Sequence, residues 1–153
     1  MKKLAEELQK IIQEYSEKLK KVSEHDFSER PAPGKWSRKE ELGHLVDSAH
    51  NNLRRFIVAQ HEQSPKIVYN QNLWVEVNNY HNRSSSDLVM LWKLMNEQVC
   101  EVWKSMPEEN FNKSCDTGKE IPELHSIQWL AEDYIKHLKH HLHHLLKLEA
   151  IPY

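Results

Sequence analysis

Four stretches of this chain carry apolar residues at intervals of three and four, and almost nothing inside them can break a helix. Leu4, Leu8, Ile11, Ile12, Tyr15, Leu19 and Val22 form the first, over roughly residues 2–24. Leu42, Leu45, Val46, Ala49, Leu53, Phe56 and Ile57 form the second, and Leu88, Leu91, Trp92, Met95, Val99, Val102 and Trp103 the third. Ile127, Leu130, Ala131, Tyr134, Leu138, Leu142 and Leu145 form the fourth. This spacing lines one side of a helix with apolar groups that must be covered. Three glycines and six prolines in 153 residues supply too few turn formers for an all-β protein. The expectation is an all-α chain, a four-helix bundle, folded as a single domain over residues 1–153.

The punctuation agrees with the periods. Glu29 to Gly34, with Pro31 and Pro33, ends the first helix. Ser37 followed by Glu40 matches a capping box and opens the second, which stops before Pro65. Residues 64–84 read as irregular, or as a short extra helix around Asn72 to Tyr80. Ser84, Ser85 and Ser86 offer caps for the third helix, which ends near Pro107. A polar loop follows, broken by Gly118 and Pro122, and Ser126 caps a fourth helix running to about Leu148.

Charge narrows the partners. With 21 basic and 23 acidic residues, no surface for nucleic acid or an anionic membrane stands out. There is no secretory leader and no apolar run long enough for a bilayer, so a cytoplasmic location is expected. Cys100 and Cys115 have no motif spacing and read as reduced thiols. Each of the five tryptophans is expected to be mostly buried.

Chemistry concentrates in the last helix. His137, His140, His141, His143 and His144 place five of the eleven histidines within eight residues. Imidazole is the commonest protein ligand for transition metals, and two at i, i+4 can share one ion. Two such pairs exist, His137/His141 and His140/His144. On a wheel of about 100° per residue, with His137 at zero, the apolar residues fall between about 20° and 140°. His141 falls at about 40°, inside that arc, and His137 at its edge. His143 reads as a surface residue, and His140 and His144 as flank positions. The wheel therefore favours His137/His141.

A pair alone does not hold a transition metal tightly; a third ligand from another helix is needed. His25, His44, His50, His61, His81 and His125 are candidates, with carboxylates. His44 shares a side of the second helix with Ser48, Asn51, Asn52 and Arg55. That polar strip reads either as the wall of a small site or as a solvated face.

The run Gly34-Lys35-Trp36-Ser37 to His44-Leu45-Val46-Asp47-Ser48-Ala49 resembles the second-helix signature of the DinB/YfiT-like superfamily, a K-W-S cap followed by G-H-L-x-D-S. Asp133-Tyr134-Ile135-Lys136-His137-Leu138-Lys139-His140-His141 is similar to that family's last helix. Asn72 to Tyr80 is similar to a segment of its DinB-like branch, and the likeness spans about residues 33–146. The resemblance implies a four-helix bundle in which His44, His137 and His141 hold one divalent transition metal ion, zinc, nickel or iron. It also suggests a possible homodimer.

Three histidines and an open position are the layout of a catalytic metal site, where a bound water can reach a pKa of roughly 7. The function this implies is a metal-dependent hydrolase acting through a metal-bound water on a small substrate. The alternative is a metal-dependent transferase using a low-molecular-weight thiol, because the superfamily includes thiol-dependent S-transferases and a mycothiol-dependent isomerase. A third reading, of another class, is a non-catalytic metal-binding or stress-response bundle. Asp47 and Asp133 are the candidate catalytic carboxylates, with Glu41 as a further base or a fourth ligand. Asp133, one turn before His137, could orient an imidazole. Arg55 could meet an anionic group of a substrate.

Overall fold

Each apolar stripe becomes a helix in the computed structural model, which describes residues 1–153. The long helices are α1 (Lys2–Leu19), α3 (Arg38–Val58), α5 (Ser85–Ser105) and α6 (Ile127–Leu145), with short helices α2 (Glu24–Ser28) and α4 (Gln71–Asn78) between them. Helices α1 and α3 each pack on both α5 and α6, which closes a four-helix bundle. No helix is long and apolar enough to cross a membrane.

The first helix stops at Leu19, earlier than its apolar pattern, because Ser23 accepts a hydrogen bond from Asp26 N–H and caps α2 as a separate turn. Gly34, at φ +75°, then turns the chain toward α3. The Ser37–Glu40 capping box forms in full, with each side chain bonded to the other residue's backbone N–H. Ser84 and Ser126 cap α5 and α6 more simply, each side chain accepting one backbone N–H, from Asp87 and Trp129.

The core is lined by Leu8, Ile12, Leu42, Leu45, Leu88, Leu138 and Leu142, all at 1% exposure or less. Trp92 and Trp103 are completely buried, whereas Trp129 is 45% exposed and lies flat on His125 at 3.8 Å. The wheel of α6 turns Trp129 away from the bundle, so burial of every tryptophan does not hold. Phe56, Trp103 and Tyr134 meet edge-to-face at 5.2–6.4 Å and join α3, α5 and α6. The Tyr134 hydroxyl donates to Asn96 Oδ1 at 2.6 Å, satisfying the one polar atom that this residue brings inside. Both thiols are buried and unpaired.

The polar loop before α6 contains a feature that periodicity does not reveal. Ser114–Asp116 (β1) pairs antiparallel with Leu124–Ser126 (β2). Asp116 also exchanges backbone hydrogen bonds with the segment after α3, through Pro65 O and Ile67 N–H, each at 2.9 Å. Arg55 completes this tie by donating Nε and Nη2 to Ile67 O at 3.1 and 2.9 Å. The end of α3 is thereby fastened to the start of α6, which sets the two helices that carry the candidate histidines against each other.

Candidate metal centre

Helix α3 runs with a polar strip facing inward. His44, Asp47, Ser48, Asn51 and Asn52 are all buried, at 2–8% exposure. Of the two readings of this strip, the solvated face is excluded. Its amides are satisfied locally: Asn51 Nδ2 donates to Asp47 O at 2.9 Å and Asn52 Nδ2 to Ser48 O at 3.0 Å. His44 is the member that reaches across to α6.

There it meets His137 and His141. One ring nitrogen from each of the three lies within 4.8 Å of the others. His44 Nε2 stands 3.2 Å from His137 Nε2, and the ring centroids are 4.5–5.1 Å apart. Two nitrogens bound at about 2.05 Å around a tetrahedral ion would stand about 3.3 Å apart. Burial, and then the nearby His141, lower the pKa of His44 to about 4. Burial, then His141 and His44, lower that of His137 to about 3. Both rings are therefore neutral at pH 7 and present lone pairs, the form that a cation needs.

Glu41, one turn before His44 on α3, orients the third ring. Its Oε1 accepts from His141 Nδ1–H at 2.9 Å, which leaves the lone pair on His141 Nε2. His144 Nδ1–H donates to both oxygens of the same carboxylate at 2.8 Å. Burial pushes the Glu41 carboxyl up, but these two hydrogen bonds outweigh it and hold the pKa below the usual range. Trp36 lies against the other side of His44, with ring centroids 5.3 Å apart. A cavity of about 340 Å³ opens beside the cluster, bounded by Trp36, Glu41, His140, His144, Leu148 and Ile151 among others.

Neither candidate catalytic carboxylate is hydrogen-bonded to the three rings. Asp47 Oδ1 accepts from the Tyr80 hydroxyl at 2.6 Å and from Asn78 Nδ2 at 3.1 Å, so it secures the α4 crossing to α3. Asp133 accepts from the Tyr153 hydroxyl at 3.0 Å. The carboxylate that meets the imidazoles of the cluster's helix is Glu41, expected from the sequence as a further base or a fourth ligand and found instead bonded to His141 and His144. Arg55 spends three donors on Ile67 O and Asn52 Oδ1. His143, read from the wheel as surface, leans on Tyr15 at 6.0 Å, while the His144 side chain is 71% exposed. Tyr153 lies outside every helical pattern, yet its ring stands 5.3 Å from that of His137.

Asp47 yields a test of its structural role. Burial pushes its pKa up to about 6, against the lowering effect of the Tyr80 hydrogen bond. Between the unfolded value near 4 and about 6 the folded state holds the extra proton, so this group's contribution to stability falls as pH rises through that window. Asp47→Asn keeps the acceptor for Tyr80 and removes the charge. It is expected to raise stability on the order of 1–2 kcal/mol at pH 7.5, and to bring no gain at pH 4. Thermal melts of both proteins at the two pH values check this.

Similarity to known proteins follows the same elements. The family model of the DinB superfamily matches residues 7–145. The Bacillus subtilis (strain 168) protein named "Putative metal-dependent hydrolase YfiT" is 26% identical over 146 residues, spanning 90% of this chain and 80% of its own. The YfiT structure, described as a four-helix bundle of unusual topology, superimposes with a TM-score of 0.80 at 19% identity, over 94% of this chain and 84% of that one. The mycothiol-dependent maleylpyruvate isomerase gives 0.71 at 16% identity, over 98% of this chain and 60% of that one. The two superpositions carry the bundle fold and the family match carries the kinship: this chain belongs to the DinB superfamily.

Proposed function

We propose that His44, His137 and His141 hold one divalent transition metal ion, and that the chain is a metal-dependent hydrolase acting on a small molecule. The observation that carries this reading is the convergence of three imidazoles from two helices, with His141 turned by Glu41 so that its free lone pair faces the other two. Three nitrogens leave a coordination position for water or substrate, and the ion supplies a Lewis acid that lowers the pKa of what it binds there. The chain's own residues do the rest. Burial keeps His44 and His137 unprotonated, Glu41 sets the tautomer of His141, and Trp36 shields His44 from water. Of the two aspartates, we keep Asp133 as the acid–base candidate, because it is partly exposed one turn from His137. The relative named a metal-dependent hydrolase supports the class of reaction.

A second reading, transfer of a low-molecular-weight thiol, draws support from the shared fold of the mycothiol-dependent isomerase. Protein purified without chelator or nickel resin is expected to contain near one equivalent of zinc, nickel or iron by elemental analysis, roughly one ion per three-histidine site. Its absence under conditions that retain metal in a control metalloenzyme overturns the proposal. The loaded protein, assayed with a 4-nitrophenyl ester and then with monobromobimane plus a small thiol, separates the two readings: ester cleavage that needs the metal supports hydrolysis, and bimane conjugation supports thiol transfer.

A further inference from the structure

Two members of the histidine run, His140 and His143, take no part in the three-nitrogen cluster, and the structure gives both a shared occupation. After α6 the chain reverses. Leu148 N–H donates to His143 O at 2.9 Å and Lys147 N–H to His144 O at 3.1 Å, the paired bonds of a Schellman turn, with Lys147 in the left-handed position at φ +53°. The following residues return along the outer side of the same helix. His140 Nδ1–H donates to Ile151 O at 2.8 Å, and His143 Nδ1–H donates to Glu149 O at 2.7 Å. Fastened at these two points, the segment delivers Tyr153 across the centre. The Tyr153 ring lies 5.3 Å from His137 and 5.9 Å from His140, and its hydroxyl holds Asp133. Leu148 and Ile151 form part of the wall of the cavity beside Trp36 and Glu41.

We propose that residues 147–153 are a gate over the candidate centre, latched by His140 and His143 and closed by Tyr153 against His137. Its fastenings suit a part that opens. They are single hydrogen bonds to backbone carbonyls, made by partly exposed side chains, and Tyr153 itself is 65% exposed. Segments held in this way open locally without unfolding the body beneath. The bundle core lies on the other face of α6, at Leu138, Leu142 and Leu145, and does not depend on the strap. When the strap lifts, the side of His137 that Tyr153 covers is uncovered, and the cavity loses its wall at Leu148 and Ile151. A ligand entering there displaces the phenol from Asp133 and frees that carboxylate for the acid–base role given to it above. The gate's use in catalysis rests on the proposed function; its existence does not.

The test is therefore run first on metal-free protein. Carbethoxylation by diethyl pyrocarbonate, read residue by residue by peptide mass spectrometry, reports access to each histidine. His25, whose side chain is 87% exposed, is the internal reference. In a variant lacking residues 148–153, modification of His137 relative to His25 is expected to accelerate roughly tenfold, and in Tyr153→Ala severalfold, with circular dichroism melts within a few degrees of the parent. Tyr153→Phe, which keeps the ring and loses only the bond to Asp133, is expected to fall between parent and Tyr153→Ala. Equal His137 rates in all four proteins overturn the gate. If none of them binds a metal, the proposed function fails, and the carbethoxylation rates still decide whether the strap covers His137.

Discussion

His137→Ala is expected to take bound metal from near one equivalent per chain to below roughly a tenth, and to weaken affinity on the order of a thousandfold. The size follows from the ligand count. A three-nitrogen site has no spare donor, and the 3.2 Å approach of His44 Nε2 to His137 Nε2 places the lost ligand beside a remaining one rather than at the rim. Glu41→Gln is the graded companion. It keeps an oxygen that can accept from His141 but removes the charge that favours Nδ1–H, and its expected cost is ten- to a hundredfold in affinity. Melts under added zinc read the same quantity by linkage. A ligand at a hundred times its dissociation constant adds about 2.7 kcal/mol to the parent, and His137→Ala should gain almost nothing. Equal metal-induced stabilisation of parent and variant would remove His137 from the centre.

Gly43→Ala is expected to cost about 3 kcal/mol, or a fall in Tm of roughly 6–12 °C. Gly43 lies under the ring of Tyr80. A Cβ there would come 2.1 Å from Tyr80 Cδ2 and 2.3 Å from Cγ, far inside contact distance. The ring cannot swing aside freely, because it is 3% exposed and its hydroxyl is bonded to Asp47, one turn along the same helix. Either α3 bends or the α4 crossing lifts away and leaves Asp47 without its partner. A double-mutant cycle tests the cause. Tyr80→Ala alone leaves a cavity, and in the Gly43→Ala background that space receives the new methyl. The double variant should be more stable than the sum of the two singles by about 1.5 kcal/mol or more. Additive costs would mean that the strain lies elsewhere.

Much of this architecture was legible in the residues, for reasons that can be located. Helical periodicity is a property of one element read along itself, so α1, α3, α5 and α6 show in the spacing of Leu8 to Ile12, Leu42 to Ala49, Leu88 to Val99 and Leu130 to Leu142. The inward side of His137 and His141 comes from the same arithmetic. His44 does not. Its whole side of α3 is polar, and periodicity alone cannot tell a buried polar strip from a wet one, so the resemblance to a K-W-S…G-H-L-x-D-S signature singled it out. The three-residue strands of the hairpin are too short to show an alternation. His143 and His144 exchanged places because a wheel ranks the faces of one helix and knows nothing of the neighbour: Tyr15 of α1 covers His143, and nothing covers His144. Glu41 and Tyr153 acquire their positions only when elements far apart in sequence meet.

The double grip on Glu41 gives this molecule an external tuning screw. His144 stands at the surface, but it competes with His141 for the same carboxylate oxygen. An exchange there shifts how much of that charge the His141 ring receives, and so adjusts the basicity of its other nitrogen from one turn away. A library confined to position 144 would therefore scan the affinity of the centre over a graded range while every buried residue and every helix contact stayed as it is.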